Sequence, residues 1–484
     1  MKVLVKLLVL IATMLFGLAL ILAVRTVASA PEVRAATDLT LVDDAVVQKL
    51  SLAVQQATIS DPNYFNAKTF LNFHSLLQQQ FPLLHQSAPP LQINQYSLLF
   101  HLQGKRRDLK PIIVLAHFDV VPAPNITRWT EPPFSGTLRD GYVWGRGSMD
   151  DKGALIAILQ ALEMMMADGQ EPQRDIYLAL GHDEETGGNE GAVHLARYLQ
   201  QRNVKAEYIL DEGGMITQGV VPGVVPAVAL IGVAEKGYVS YEVTRHSNGG
   251  HSSVPPPSTA VGELSAFVTA VEAHPAEAVL RAPVRDMFIG LAPHMPWAQR
   301  MVFSNLWLFE PLVLSQLSRA PSTNAVIRTT AAVTMFNAGV ADNVLPAQAK
   351  VMINFRLHPG DSSDRVLLRL RGLAGDRELE FKPFGKIHEP SPVASIDATG
   401  FRHITSSLSQ VDPTIVAVPS LTVAGTDSKH YRSVSENVYR FRFNRISRED
   451  IKRYHGVDER VRIEDLKKAV LFYRLLFTGL EGLE

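Results

Sequence analysis

The chain has 484 residues, 46% of them hydrophobic, enough for about two or three domains with a sizeable core and too apolar for wholesale disorder. Its formal net charge is -1 and it contains no cysteine. These values argue against a nucleic-acid partner and exclude disulfides, thiol catalysis and thiolate ligands, so any metal must be held by His, Asp and Glu.

At the N-terminus Lys2 and Lys6 precede an uncharged apolar run, residues 7–24. As a helix that run would span roughly 27 Å, close to a hydrocarbon core of about 30 Å. Two readings of residues 1–30 stay open: a membrane anchor, or a signal peptide cut after "ASA". The length of the run and Pro31, directly after that site, favour the anchor. Either way the lysines stay cytoplasmic and the rest of the chain lies outside the cytoplasm, single-pass or secreted/periplasmic.

Residues 30–41 read as a tether. Helical spacing follows in "VVQKLSLAVQQA" and "FLNFHSLLQQQF". "YSLLFHLQG" and "PIIVLAHFD" read as strands, "DKGALIAILQALEMMMADG" as a helix, "DIYLALG" as a strand, "EGAVHLARYLQQR" as a helix and "AEYILDEGG" as a strand. Such alternation predicts an α/β fold, a layered, mostly parallel sheet. The character changes at "GYVSYEVTRH", so an inserted α+β lid domain is expected over 238–358. It would divide the α/β domain into 45–237 and 359–484. Within the insert lies a long apolar stretch, residues 287–317, expected to pack as a helical core inside the lid.

Three of the predicted strands end in residues that bind metals. "PIIVLAHFD" ends at His117 and Asp119, "DIYLALGHDEE" at Asp183, Glu184 and Glu185, and "AEYILDE" at Asp211 and Glu212. Ligands of open α/β sheets bind outside the carboxyl ends of the strands, so neighbouring strands would bring these groups into one crevice. Bound cations would offset the repulsion among the acids. "WGRGSMDDKG" adds Asp150 and Asp151 before a helix, one acid more than an N-cap needs.

These segments resemble the dinuclear zinc aminoacylase/carboxypeptidase family, in particular its carboxypeptidase S and N-fatty-acyl amino acid synthase/hydrolase type. The resemblance is carried by "HFDVVP", "WGRGSMDDKG", "GHDEETGG", "LDEGG", "GGHSSVPP", "DNVLPAQAKVMINFRLHPG", "GTDSKHY" and "YHGVDE", in family order from about residue 45 onwards. It implies a metallopeptidase with two Zn(2+) per active site, cleaving a peptide or N-acyl bond next to a C-terminal amino acid. His117 and His455 would each bind one zinc, Asp150 would bridge them, and Glu185 and Asp211 would complete the set, with Glu212 open as the alternative to Asp211. Glu184 would be the general base, Asp119 would orient His117, and His251 would stabilise the oxyanion, often from a partner subunit, which allows a homodimer. Arg356, Asn343 and Gly425 would hold a substrate with a free carboxylate. An N-fatty-acyl amino acid hydrolase/synthase is the alternative to a peptide carboxypeptidase. A non-catalytic binding protein on the same fold would have lost a base or a ligand, and here every position is filled.

Overall fold

A strand that is apolar at every position needs cover on both faces. The computed structural model, which describes residues 2–28 and 42–479, supplies that cover. In chain order, β1 (Ser97–Leu102), β2 (Ile112–His117), β3 (Ile176–Gly181), β4 (Tyr208–Asp211) and β5 (Val228–Glu235) belong to a large sheet. β6 (Gly237–His246), β7 (Thr330–Ala338), β8 (Gln348–Leu357) and β9 (Leu379–His388) form a second one, and β10 (Val416–Thr422) and β11 (Val438–Arg440) return to the first.

In the large sheet β2 lies between β3 and β4 and runs parallel to both. β11 is parallel to β4 and β10 to β5, while β1 closes on β3 antiparallel. The side chains of β2 alternate between two layers. Ile112 and Val114 face the helices Lys152–Ala167 and Ile463–Thr478, and Ile113 and Leu115 face the helix Ala192–Gln201. Each such side chain contributes about 1.5–3 kcal/mol on burial. Because β2, β3 and β4 are parallel neighbours, their carboxyl ends share one edge. The mostly parallel α/β sheet expected from the sequence is the one that forms.

The second sheet is antiparallel, in the order β7, β8, β6, β9, and the helices Ala260–Ala273 and Ser363–Ala374 pack on it. A boundary at 358 would strip this sheet of β9, which pairs with β6 along the run from Tyr238 to Arg245. The apolar stretch also goes elsewhere than expected. The helices Ala282–Leu291 and Leu306–Leu317 set Phe288, Leu291, Leu306 and Val313 against Val228, Ala234, Val418 and Leu421 of β5 and β10. These side chains cover the large sheet, whose β5–β10 face needs apolar cover; the core of the second sheet is made by other residues.

The N-terminal helix runs Lys2–Ala28, and its stretch Lys6–Val27 is long and apolar enough to cross a membrane. It packs against the helix Trp297–Ser304. The candidate cleavage junction at residues 29–31 and the tether lie outside the described residues.

Candidate metal centre

The carboxyl ends of β2, β3 and β4 present His117, the turn 182–185 and residues 211–212 at one edge. Two loops join them. One carries Asp150 into the helix Lys152–Ala167, and the other carries His455 in a left-handed backbone conformation, φ 56°. The ligand atoms of His117, Asp150 and Glu212 lie within 4.8 Å of one another, and so do those of Asp150, Glu185 and His455. Asp150 belongs to both groups. Its Oδ1 is 3.3 Å from His117 Nε2 and its Oδ2 is 3.4 Å from His455 Nε2, which is also 3.1 Å from Glu185 Oε2.

Asp211 is not brought to these donors. Successive side chains of a strand point to opposite faces, and that of Asp211 turns away, accepting the backbone N–H groups of Ser428 and Glu212 at 2.8 Å each. The next residue, Glu212, faces His117 and Asp150.

Asp119 is fully buried and organises the turn beside it. Its carboxylate lies 3.3 Å from His117 Nδ1, accepts the Ser60 hydroxyl at 2.7 Å, and accepts the backbone N–H groups of Glu184 and Glu185 at 3.1 Å each. One side chain thus sets the His117 ring, leaving Nε2 toward Asp150, and fixes where both glutamates start. Glu184 sits among acids: burial, with Asp427, Glu212 and Glu185, pushes its carboxyl well above the usual range.

Two residues that the sequence reading passed over build the rest. Arg442, 3% exposed, donates to Met149 O at 2.9 Å, to Asp150 Oδ1 and Asp151 Oδ1 at 3.0 Å each, and reaches Glu212 Oε2 at 3.1 Å. Asp151 stands at the helix N-cap position without a side-chain capping bond, because its carboxylate is turned to Arg442. Glu459 accepts Arg146 Nη1 at 2.6 Å and the N–H groups of Gly147 and Met149 at 2.9 Å each. The loop that supplies His455 therefore also pins the loop that supplies Asp150. The signal for Arg442 was the segment "VYRFRF", in which arginines alternate with aromatics; a buried arginine needs an acidic partner.

The other expected residues form two further groups. His251 and Asn343 meet at the exposed end of the second sheet, where Gly250–His251 pairs with Val344–Leu345 and Ser252 N–H donates to Asn343 O at 3.1 Å. His251 Nδ1 accepts the Ser253 hydroxyl at 2.8 Å. Arg356 and Gly425 gather at the crossing between the sheets, residues 235–237. Arg356, on β8 opposite Tyr238, stacks 4.8 Å over that ring. Beside it Lys236 is pushed down to about 8, by burial first and by the Arg356 charge. Gly425 precedes Thr426, whose N–H donates to Glu235 at 2.8 Å.

The donor set fits divalent cations. Asp150, Glu184, Glu185 and Glu212 converge with Arg442 as the built-in cation, and Glu185 Oε1 is buried without a hydrogen-bond partner. The pocket attracts positive charge at each imidazole Nε2, one against either oxygen of Asp150. Hydrogen bonds that its ring donates to Asp150 and Glu185 raise His455 to about 10, and, against the opposing effect of burial, Asp119 and Asp150 hold His117 well above its ordinary value.

Comparison with known proteins agrees with this chemistry. Residues 113–478 match Peptidase family M20/M25/M40. The chain is 39% identical over 449 residues to "Probable carboxypeptidase S-like 2" of Dictyostelium discoideum, covering 91% of this chain and 86% of that protein. It is 39% identical over 436 residues to "N-fatty-acyl-amino acid synthase/hydrolase PM20D1.1" of Danio rerio, covering 89% and 84%. An M20 family metallo-carboxypeptidase from Sulfolobus solfataricus shares the fold, with a TM-score of 0.64 at 18% identity over 90% of this chain and 99% of that one.

Proposed function

The chain belongs to Peptidase family M20/M25/M40, and on that premise we propose that its residues use two zinc ions to hydrolyse a peptide or N-acyl bond next to a C-terminal amino acid. The observation that carries this reading is Asp150, whose two carboxylate oxygens face His117 and His455 separately. His117, Asp150 and Glu212 would hold one ion and Asp150, Glu185 and His455 the other, with Asp150 common to both groups. Carboxylates and imidazoles suit zinc where thiolates are absent, and Asp119 sets the His117 ring. Bound there, the ions would supply Lewis acidity, which activates water and polarises an amide carbonyl. Glu184 takes the proton of the attacking water and returns it to the leaving nitrogen.

The developing oxyanion needs a donor, which is His251. Since His251 is exposed at the end of the second sheet, it acts after that sheet closes over the crevice or in the site of a second copy, as a homodimer allows. Arg356 takes the free carboxylate of the substrate in a bidentate contact, and Asn343 and the backbone at Gly425 hold the amide. The second sheet and its helices serve as the lid, spanning 238–388, between two parts of a catalytic domain. Residues 1–30 anchor the chain, with Lys2 and Lys6 cytoplasmic and the catalytic part outside.

Long-chain N-acyl amino acids are the finer substrate reading, supported by the name of the Danio rerio relative. A chain-length series on one amino acid tests it. Long tails should beat acetyl by roughly tenfold or more in kcat/KM, a gap that two buried methylenes at about 0.8 kcal/mol each would cover. Efficiency that is flat or falls with tail length leaves a peptide carboxypeptidase. Arg356→Ala should cost carboxylate substrates far more than their carboxamides; equal losses would free Arg356 of that role.

A further inference from the structure

The helices Trp297–Ser304 and Leu306–Leu317 cover the large sheet with one side and leave the other side apolar and open. Trp297 is 63% exposed, Trp307 53% and Leu312 60%. Trp307, Leu308, Pro311 and Leu312 follow the spacing i, i+1, i+4, i+5, which places them on one helical stripe. Between residues 297 and 317 the charged residues are Arg300 and Glu310, and both are engaged away from that stripe. Arg300 donates to Pro293 O at 2.7 Å and to Met295 O at 3.4 Å, and Glu310 pairs with Arg285. Scattered exposed apolar side chains are ordinary on a soluble protein; an uncharged stripe carrying Trp307, with Trp297 exposed on the preceding helix, marks a contact surface.

The position of the stripe identifies its occupant. The N-terminal helix packs against Trp297–Ser304. Thr26, 1% exposed, is its one buried side chain among those described and stands at its C-terminal end. The apolar stretch of 22 residues is roughly 33 Å long, which a hydrocarbon core of about 30 Å uses up. Little length remains to hold the protein off the lipid, so whatever touches the end of that helix is itself at the membrane surface. We propose that the open face of Trp297–Ser304 and Leu306–Leu317 lies in the lipid–water interface as a second membrane contact. The inference rests on reading Lys6–Val27 as a membrane span. Tryptophan suits this depth, its ring apolar and its N–H polar. An in-plane helix normally turns a charged face to water; here the large sheet covers that side instead. One span alone would let the catalytic part swing, and a second contact fixes which way the crevice faces.

The full-length chain in phosphatidylcholine vesicles, with lipids brominated near the headgroup end of the acyl chains, tests the proposal by tryptophan quenching. The chain has 4 tryptophans, and Trp129 and Trp144 are 9% and 4% exposed. Wild type should lose roughly half its emission, since two of four indoles reach lipid. The double variant Trp297→Phe, Trp307→Phe, with unchanged circular dichroism, should lose almost none. An alkaline carbonate wash of the same vesicles separates the two readings. A chain that resists the wash but is not quenched keeps its span and overturns the docking face, which is then free or covered by a second copy. A chain released by the wash overturns the span and the proposal together.

Discussion

Asp211 and Glu212 are adjacent acids with opposite duties. Glu212 faces the imidazole and carboxylate donors, whereas Asp211 holds two backbone amides. Glu212→Ala should therefore lower metal occupancy while the fold persists. Asp211→Asn should keep the metal and lose about 1–3 kcal/mol of stability, the cost of a weakened buried acceptor. Metal analysis beside a thermal melt of each variant checks this, and the reverse pattern would restore Asp211 as the ligand. The pair also shows where sequence reading stops. His117, Asp150, Glu185 and His455 are legible because each ends a strand or sits in a glycine-bounded motif. The choice between 211 and 212 turns on the last residue of strand register, where one step flips a side chain to the other face. Arg442 was hidden for a related reason, since its partners come from segments far away in sequence.

At the scale of elements, two loops and a helix bear on stability. Glu459 ties the His455 loop to the Asp150 loop through a pair with Arg146 in which both side chains are buried. Glu459→Gln keeps the amide acceptor but leaves the arginine charge unpaired, which should cost about 3–5 kcal/mol. Melting temperature, metal content and turnover should fall together; a drop in turnover alone would contradict a tethering role. The helix Thr399–Val411 carries His403, 1% exposed, whose Nδ1 meets the Tyr208 hydroxyl of β4 at 2.8 Å. Burial first, and then the Arg174 charge, push His403 down to about 4. The unfolded imidazole titrates near about 6.5, so below that pH the unfolded chain binds the extra proton. Stability is whole above pH about 6.5 and falls by about 3 kcal/mol as pH drops toward 4. Denaturation midpoints of wild type and His403→Gln across that range should converge at low pH. Parallel curves would place the proton elsewhere. The layered sheet was legible from apolar runs alternating with helical periods. The extent of the second sheet was not, because β9 pairs across more than a hundred residues with β6, and no local pattern records such a partner.

At the scale of the whole molecule, a metal crevice lies at one edge of a parallel sheet, a second sheet joins it through residues 235–237, and the first helix is the proposed tie to a membrane. The central claim is that acids and imidazoles from five separate segments act as one dinuclear hydrolytic site. The most direct measurement strips the protein with a chelator, restores zinc stepwise, and follows turnover of an N-acyl amino acid beside bound metal for wild type and Glu184→Gln. A dinuclear site predicts a silent stripped enzyme and recovery that levels off at two zinc ions per chain. It also predicts that Glu184→Gln binds the same two ions yet turns over roughly 10²–10⁴-fold more slowly. Turnover that survives complete removal of metal, or a Glu184→Gln enzyme as fast as wild type, would contradict it.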